Sequence, residues 1–373
     1  MHAVHINFVP APPGHSPEQL FELWPSLADI PEAAASGGAR VSVIQAAAQQ
    51  ARITRNGIDY YFVDVVGMRV AARARRFADV LLQIDADVAH VHGLGFARDI
   101  FALSRCLPQL SIIVQDHADR LPRWWRRLRW KRWFSVVSGV VFTARELALP
   151  FTRAGVFGSR TRLFAIPESS SRFTPGSRVH ARAETGLYGD PCVLWVGHLN
   201  AGKDPLTVLE GIAQASVTLP DVQLWCAFAN APLLEQVQQY TARDSRLADR
   251  VHLLGKVAHA DVERLMQSSD IFVSGSHAES CGFVVLEAMA CGVAPVITDI
   301  PSFRALTNEG RVGHLWPCGD AVRLAESLVA AVSNPTAPER IRAHFDATLS
   351  FKAVGRQWAT AYAQVLDARR RAP

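Results

Sequence analysis

No stretch of this sequence approaches the roughly 20 consecutive apolar residues needed to cross a bilayer, which argues against a membrane-spanning helix. The six cysteines (Cys106, Cys192, Cys226, Cys281, Cys291 and Cys318) include no C-x-x-C pair and sit among apolar neighbours. That argues against a zinc cluster or a disulfide framework and for reduced thiols. The first residues lack a basic segment followed by an apolar run and a small-residue cleavage site, so the expectation is a cytoplasmic chain without a secretory leader. Charged residues make up only 20% against 49% hydrophobic, a globular balance.

Acidic residues are missing altogether from 120–134, which holds seven basic residues and four of the nine tryptophans. Without those seven the chain would carry 32 basic against 34 acidic residues, so the net charge of +5 is local. This excludes a generally basic nucleic-acid-binding surface, and no nucleic-acid partner is expected. The segment 123–134 (RWWRRLRWKRWF) has the basic and aromatic mixture that suits an anionic membrane interface or a lipid-linked acceptor. Its Trp and Arg do not separate onto opposite faces of a helical wheel. The competing expectation is therefore a surface helix with Trp packed inward and Arg in water.

What is present is alternation. Apolar, β-favouring runs at 5–10, 39–44, 58–65, 88–91, 112–115 and 136–142 are interleaved with helix-spaced segments at 17–35 and 69–84. Residues 167–191, rich in Ser, Pro, Gly and Arg, predict a linker. The alternation restarts with strands at 192–196, 222–229, 251–254, 270–273 and 294–298, and helices at 204–215, 260–267, 320–332 and 351–368. The fold class is α/β with doubly wound parallel sheets in two domains. The boundaries predicted are 1–170, 171–348 and a C-terminal helical segment 349–373.

The densest constellation is 274–295, SGSHAESCGFVVLEAMACGVAP. A buried strand at 270–273 runs into a small-residue loop. A helix follows from 283 to about 290 and is stopped by Gly292 and Pro295. Ligands of open α/β sheets sit at the carboxyl ends of strands, and a helix start there offers unpaired N–H groups and a positive dipole end to a phosphate. Glu279 lies in the loop. Glu287 lies among apolar helix residues, where a carboxylate requires a polar partner such as a ligand hydroxyl.

The Glu279–Glu287 spacing, the loop, the helix and the C-G-x-x-P ending together resemble the E-x7-E signature of the retaining nucleotide-sugar glycosyltransferases of family four, which have the GT-B fold. Residues 196–205, VGHLNAGKDP, resemble the same family's G-R-L-x-x-x-K signature through Gly197, Leu199 and Lys203. His198 stands where the family usually has Arg, whose bidentate fork a His cannot reproduce. Ser280 and Cys281 replace a more usual Gly and aromatic residue. The loop after the first strand, PAPPGHSP, has only Gly14 where many members have two glycines approaching the diphosphate.

The resemblance implies two Rossmann-like domains facing a central cleft, with the last helix crossing back to the first domain. It implies transfer of a sugar from a nucleotide-diphosphate donor with retention of anomeric configuration, with no metal and no cofactor beyond that co-substrate. It assigns catalytic positions to Glu279, Lys203 and His117, the last following a first-domain strand in VQDHA. A buried, satisfied histidine is the competing expectation for His117. Donor-binding positions are Glu287 on the ribose, His198 and Gly197 on the diphosphate, the backbone of Ser280, Cys281, Gly282, Phe283 and Val284, and Gly14. Backbone at 255–257 is a candidate base contact, and His90 and His92 are structural positions. The expected partners are the sugar donor, a lipid-linked or saccharide acceptor, and the inner face of a membrane through 123–134. Two other classes remain open: a nucleotide-sugar epimerase on the same fold, and a non-catalytic sugar-nucleotide-binding or membrane-associated protein.

Overall fold

The computed structural model describes residues 1–370 in two compact units. One is Met1–Ser170 with the chain from Phe351 onward, and the other is Ser171–Ser350.

The first unit is an eight-stranded sheet: β1 (His2–Asn7), β2 (Arg40–Ala47), β3 (Ala51–Arg55), β4 (Ile58–Asp64), β5 (Val88–His92), β6 (Ser111–Gln115), β7 (Gly139–Phe142) and β8 (Arg162–Ala165). The order is β3-β4-β2-β1-β5-β6-β7-β8, parallel except for β3, which pairs antiparallel with β4. The central strands are buried on both faces, as continuous runs such as SIIVQ require once helices cover both sides. The helical spacing at 17–35 resolves into two helices, Pro17–Leu23 and Ser26–Ala35, interrupted at Trp24 and Pro25. The final helix, Phe351–Arg370, packs on Ser26–Ala35 and sinks Val354, Trp358 and Tyr362 completely. Full burial of such side chains is worth about 1.5–3 kcal/mol each, which ties this distant segment to the unit.

The second unit has six parallel strands: β9 (Cys192–Val196), β10 (Gln223–Ala227), β11 (Val251–Gly255), β12 (Ile271–Ser274), β13 (Ala294–Thr298) and β14 (His314–Trp316), in the order β11-β10-β9-β12-β13-β14. The predicted linker 167–191 is not structureless. It holds the helix Arg178–Thr185, capped by the Ser177 side chain and closed by Gly186 in the left-handed region. Arg182 of this helix anchors it by bonding Asp270 at 2.8 Å.

Both sheets wind outward from a central strand in two directions. The reversal falls between β1 and β5 in the first unit and between β9 and β12 in the second. At such switch points the loops leaving adjacent strands part in opposite directions and open a crevice at the carboxyl ends.

Candidate active site

In the second unit, β12 pairs with β9 in register (Ile271 with Val193, Phe272 with Leu194), so the loops that follow them are neighbours. Three contacts stitch these loops together. His277 donates its backbone N–H to Gly202 at 2.9 Å, and its Nε2 meets Asp204 Oδ2 at 2.8 Å. Gly275 lies so close to the carbonyl oxygens of Lys203 and Asp204 that a Cβ would stand 3.0 Å from both. Asp204 takes a left-handed φ of 46° and caps the helix Pro205–Ala215 by accepting from Thr207 N. The Lys203 ammonium is thereby delivered onto the Glu279 carboxylate, with which it forms an ion pair.

The helix Phe283–Ala290 begins at Gly282, with φ of 83° and no side-chain cap. A Cβ at Gly282 would lie 2.7 Å from the Phe303 ring, so both conformation and space demand glycine. The amides of Val285 and Leu286 turn back to the Gly282 carbonyl. Those of Phe283 and Val284 precede the helix's own ladder, as the first donors of any helix do. Ser280 borders this start, while the Cys281 side chain is fully buried in the core, so any ligand contact at Cys281 would be through its backbone. Glu287, one turn on, retains 12% side-chain exposure and meets His259 Nε2 at 2.7 Å. The polar partner that the sequence demanded for Glu287 is thus already supplied by a side chain. His198 is exposed, and its Nδ1 lies 3.4 Å from the Asn230 amide.

The structure brings Gly197, His198, Lys203, Glu279, Ser280, Cys281, Gly282, Phe283, Val284 and Glu287 onto the second unit. It puts His117 and Gly14 on the first. Gly14 has φ of 80° in the exposed loop after β1.

His117 is part of a hydrogen-bond chain. Gln115 Oε1 meets His90 Nε2 at 3.0 Å, His90 Nδ1 meets Tyr362 Oη at 2.7 Å, and that hydroxyl meets His5 Nε2 at 3.2 Å. His5 Nδ1 meets His92 Nε2 at 3.0 Å, His92 Nδ1 meets His117 Nε2 at 2.9 Å, and His117 Nδ1 meets Glu168 Oε2 at 2.7 Å. A neutral imidazole has one donor and one acceptor, so a direction set at one end propagates. With the Gln115 oxygen accepting, His90, His5 and His92 each donate through Nε2 and accept at Nδ1. His117 then donates at both nitrogens and is an imidazolium.

The electrostatics agree with this direction. Burial holds His5, His90 and His92 well below the ordinary histidine value, hence neutral. Burial alone would lower His117 too, but the hydrogen bond and charge of Glu168, with Asp119 and Asp116, raise it. Burial also pushes Asp116 up to about 6. The ligand atoms of His5, His90 and His92 lie within 4.8 Å of one another, a spacing compatible with a metal. Yet all six of their ring nitrogens are engaged by protein partners.

Sequence reasoning missed His259, His277, Asp204 and Glu168. Asp204 and His277 lie inside the two signature stretches and carry titratable side chains, which was the available signal, whereas His259 lies 15 residues before the second stretch. Glu168 lay in the segment read as linker.

The segment 123–134 forms a short 3-10 turn, Trp124–Arg126, and a helix, Arg127–Phe134. Trp130 and Trp133 pack on the core, whereas Trp124, Trp125 and Leu128 are 74%, 52% and 82% exposed. The surface-helix expectation, with Trp packed inward, holds for Trp130 and Trp133 and not for Trp124 and Trp125. No helix among the described residues is long and apolar enough to cross a membrane.

Residues 190–334 match the family model described as glycosyl transferases group 1. The chain is 31% identical over 302 residues to the phosphatidyl-myo-inositol mannosyltransferase of Mycolicibacterium smegmatis, covering 79% of this chain and 74% of that one. It is 26% identical over 276 residues to the GDP-mannose:cellobiosyl-diphosphopolyprenol alpha-mannosyltransferase of Xanthomonas campestris, covering 72% and 70%. With the phosphatidyl-myo-inositol mannosyltransferase of Mycobacterium leprae the match is 31% over 150 residues and spans only 39% of that relative's length. Among solved structures, a glycosyltransferase from Rickettsia africae superposes with a TM-score of 0.74 at 13% identity, covering 98% of each chain. Sucrose-phosphate synthase from Thermosynechococcus elongatus does so with 0.71 at 18%, covering 98% and 99%. These structural likenesses establish the GT-B fold.

Proposed function

The chain belongs to the family-four, group 1 glycosyltransferases, and from that premise we propose that it transfers a sugar from a nucleotide-diphosphate donor to a lipid-linked or saccharide acceptor, with retention. The observation that carries this reading is the Lys203–Glu279 pair beside the uncapped start of Phe283–Ala290, at the switch point of the second sheet. A departing nucleoside diphosphate develops charge that fixed cations and amides stabilise. Lys203 and the amides of Phe283 and Val284 supply them without calling on a metal, and His198 adds a ring N–H contact from the neighbouring loop. Glu279 positions the sugar, and Glu287 takes the ribose hydroxyls, exchanging or sharing its bond to His259. The relatives' names make transfer the favoured reading over epimerisation or a non-catalytic role, and GDP-mannose the first donor to try.

Calorimetric titration with GDP-mannose and UDP-glucose tests the donor site. Glu287→Ala should weaken binding of the donor by about 1–3 kcal/mol, the worth of hydrogen bonds to a charged group. Unchanged affinity removes Glu287 from the donor site, and no binding of either nucleotide sugar to the unaltered protein counts against transfer itself.

The exposed Trp124, Trp125 and Leu128 lie among Arg120, Arg123, Arg126, Arg129 and Lys131 with no acidic residue in the segment. We propose that this patch rests on an anionic membrane surface, near which each basic residue contributes about 1 kcal/mol. The protein should float with anionic liposomes, and Trp124→Ala with Trp125→Ala, or added salt, should reduce the bound fraction several-fold. Retention in the soluble fraction at low salt would rule the patch out as a membrane contact.

A further inference from the structure

Glu287 stands on a helix whose neighbouring residues Val285, Leu286, Ala288 and Met289 are all buried. Its Oε1 accepts from His259 Nε2 at 2.7 Å. An ionised carboxylate is an acceptor only, so Nε2 must carry the proton. That requirement fixes the tautomer of a neutral ring and is met equally by a charged one. The bond therefore ties down one oxygen of Glu287 and leaves the other for a ligand hydroxyl.

His259 is itself braced. It is the first residue of the helix His259–Ser268, and its ring lies 5.3 Å from that of the buried Phe173, tilted by 37°. The segment that carries Phe173 is tied back to the same helix. Glu263 accepts from the Thr174 amide at 2.8 Å and from the Thr174 hydroxyl at 3.0 Å, and Gln267 Nε2 donates to the Thr174 carbonyl at 2.8 Å. Gly176 passes so close to Gln267 that a Cβ would stand 2.5 Å from its amide carbon. Ring, helix and segment all belong to the second unit and are fixed against one another before a ligand arrives.

The pair does little for folding. The imidazole is 70% exposed, and pairs so open to water contribute little to stability. Its effect is on direction. A glutamate loses much of its rotamer freedom when a ligand immobilises it, and a partner that has fixed it beforehand removes that cost from binding. We propose that His259 is a positioning residue for the nucleotide-sugar donor, holding one oxygen of Glu287 so that the other meets the ribose hydroxyls. This rests on the donor-binding reading of Glu287 and deepens it, since it names the side chain through which Glu287 is aimed.

Calorimetry on the full chain with GDP, UDP and the 2′,3′-dideoxy form of each isolates the ribose contact, because the dideoxy ligands lack only the hydroxyls. The unaltered protein should prefer the ribose form of the nucleotide it binds by about ten-fold, the scale of a hydrogen bond to a charged group. Glu287→Ala should erase that preference. His259→Ala should shrink it to about two-fold or less, a neutral hydrogen bond's lower range. His259→Gln should restore most of it, because its amide N–H stands in for Nε2–H. In the Glu287→Ala background, His259→Ala should change nothing further, since the two residues act through one bond. The Gln variant keeps the test informative if the Ala variant fails to fold.

A ribose preference that survives His259→Ala but not Glu287→Ala would overturn the role of His259 and leave the donor reading standing. Equal weakening of the ribose and dideoxy ligands by His259→Ala would do the same, because it would mark a contact that only supports the fold. No ribose preference in the unaltered protein would take Glu287 off the ribose and His259 with it. No binding of either nucleotide would count against the transferase reading itself, on which the role of His259 depends.

Discussion

Lys203→Ala should lower turnover by roughly 10²–10³-fold, the scale seen when one fixed donor to a developing charge is removed. Two effects add. The ammonium is lost where the leaving diphosphate would gather charge. Glu279, its ion-pair partner with 18% side-chain exposure, is left as an uncompensated carboxylate beside that diphosphate. Glu279→Ala should behave differently. It frees Lys203 for the phosphates, so nucleoside-diphosphate affinity should hold or rise while turnover falls. His198→Arg should raise turnover, because a permanent bidentate cation replaces an imidazole on the same loop. Steady-state rates set beside calorimetric affinities for the three variants decide the matter. Parallel losses of affinity and rate in both Lys203→Ala and Glu279→Ala would mean that the pair only holds the loops together.

Glu168→Gln should cost about 1.5–3 kcal/mol of stability at mildly acidic pH, the range for a hydrogen bond to a charged group, and less as pH climbs through the raised folded value of His117. The sign follows from His117. Its folded value is raised above the ordinary one of about 6.5, against burial, by Glu168 first and then Asp119 and Asp116. A cation favoured by the fold contributes its full stability below the unfolded value. That contribution is lost as pH climbs through the raised folded value. Gln keeps the shape and removes the charge, so burial would then prevail and His117 would be neutral.

The loss would stay local, because a neutral His117 still donates through Nε2 to His92 and accepts at Nδ1 from the N–H of the introduced amide, so the chain keeps its direction and only the charge-assisted bond is lost. Denaturant unfolding of both proteins across pH 5.5–8.5 is the measurement. Stability curves that stay parallel over that range would show that His117 carries no charge worth counting. Ring-nitrogen NMR shifts would report the tautomers directly.

The alternation of strands and helices was legible because each element carries its own period. CVLWV and AHVHG are buried runs of strand length, and FVVLEAMA is bounded by Gly282 and Gly292. The helix at Phe283–Ala290 and the strand at Ile271–Ser274 came out within a residue of the expectation. The hairpin of β3 and β4 was missed although Asn56-Gly57 announces its turn, with φ of 49° and 76°. The alternating ARITR was simply too polar for a strand sought by apolar runs. The helix within 178–185 was masked in the same way by its Arg and His content.

The sequence alone determined which residues form elements and which short signatures they carry, because period, capping and turn chemistry act over a few positions. It could not determine which loops become neighbours. Lys203 reaches Glu279, 76 residues away, only because β9 and β12 pair. The histidine chain closes only because the last helix brings Tyr362 onto His5, 357 residues away. The first unit's cavity exists only because β1 and β5 diverge at the switch point. Such contacts follow from strand order and helix docking, which minimise exposed apolar surface over the whole unit. No local pattern encodes them.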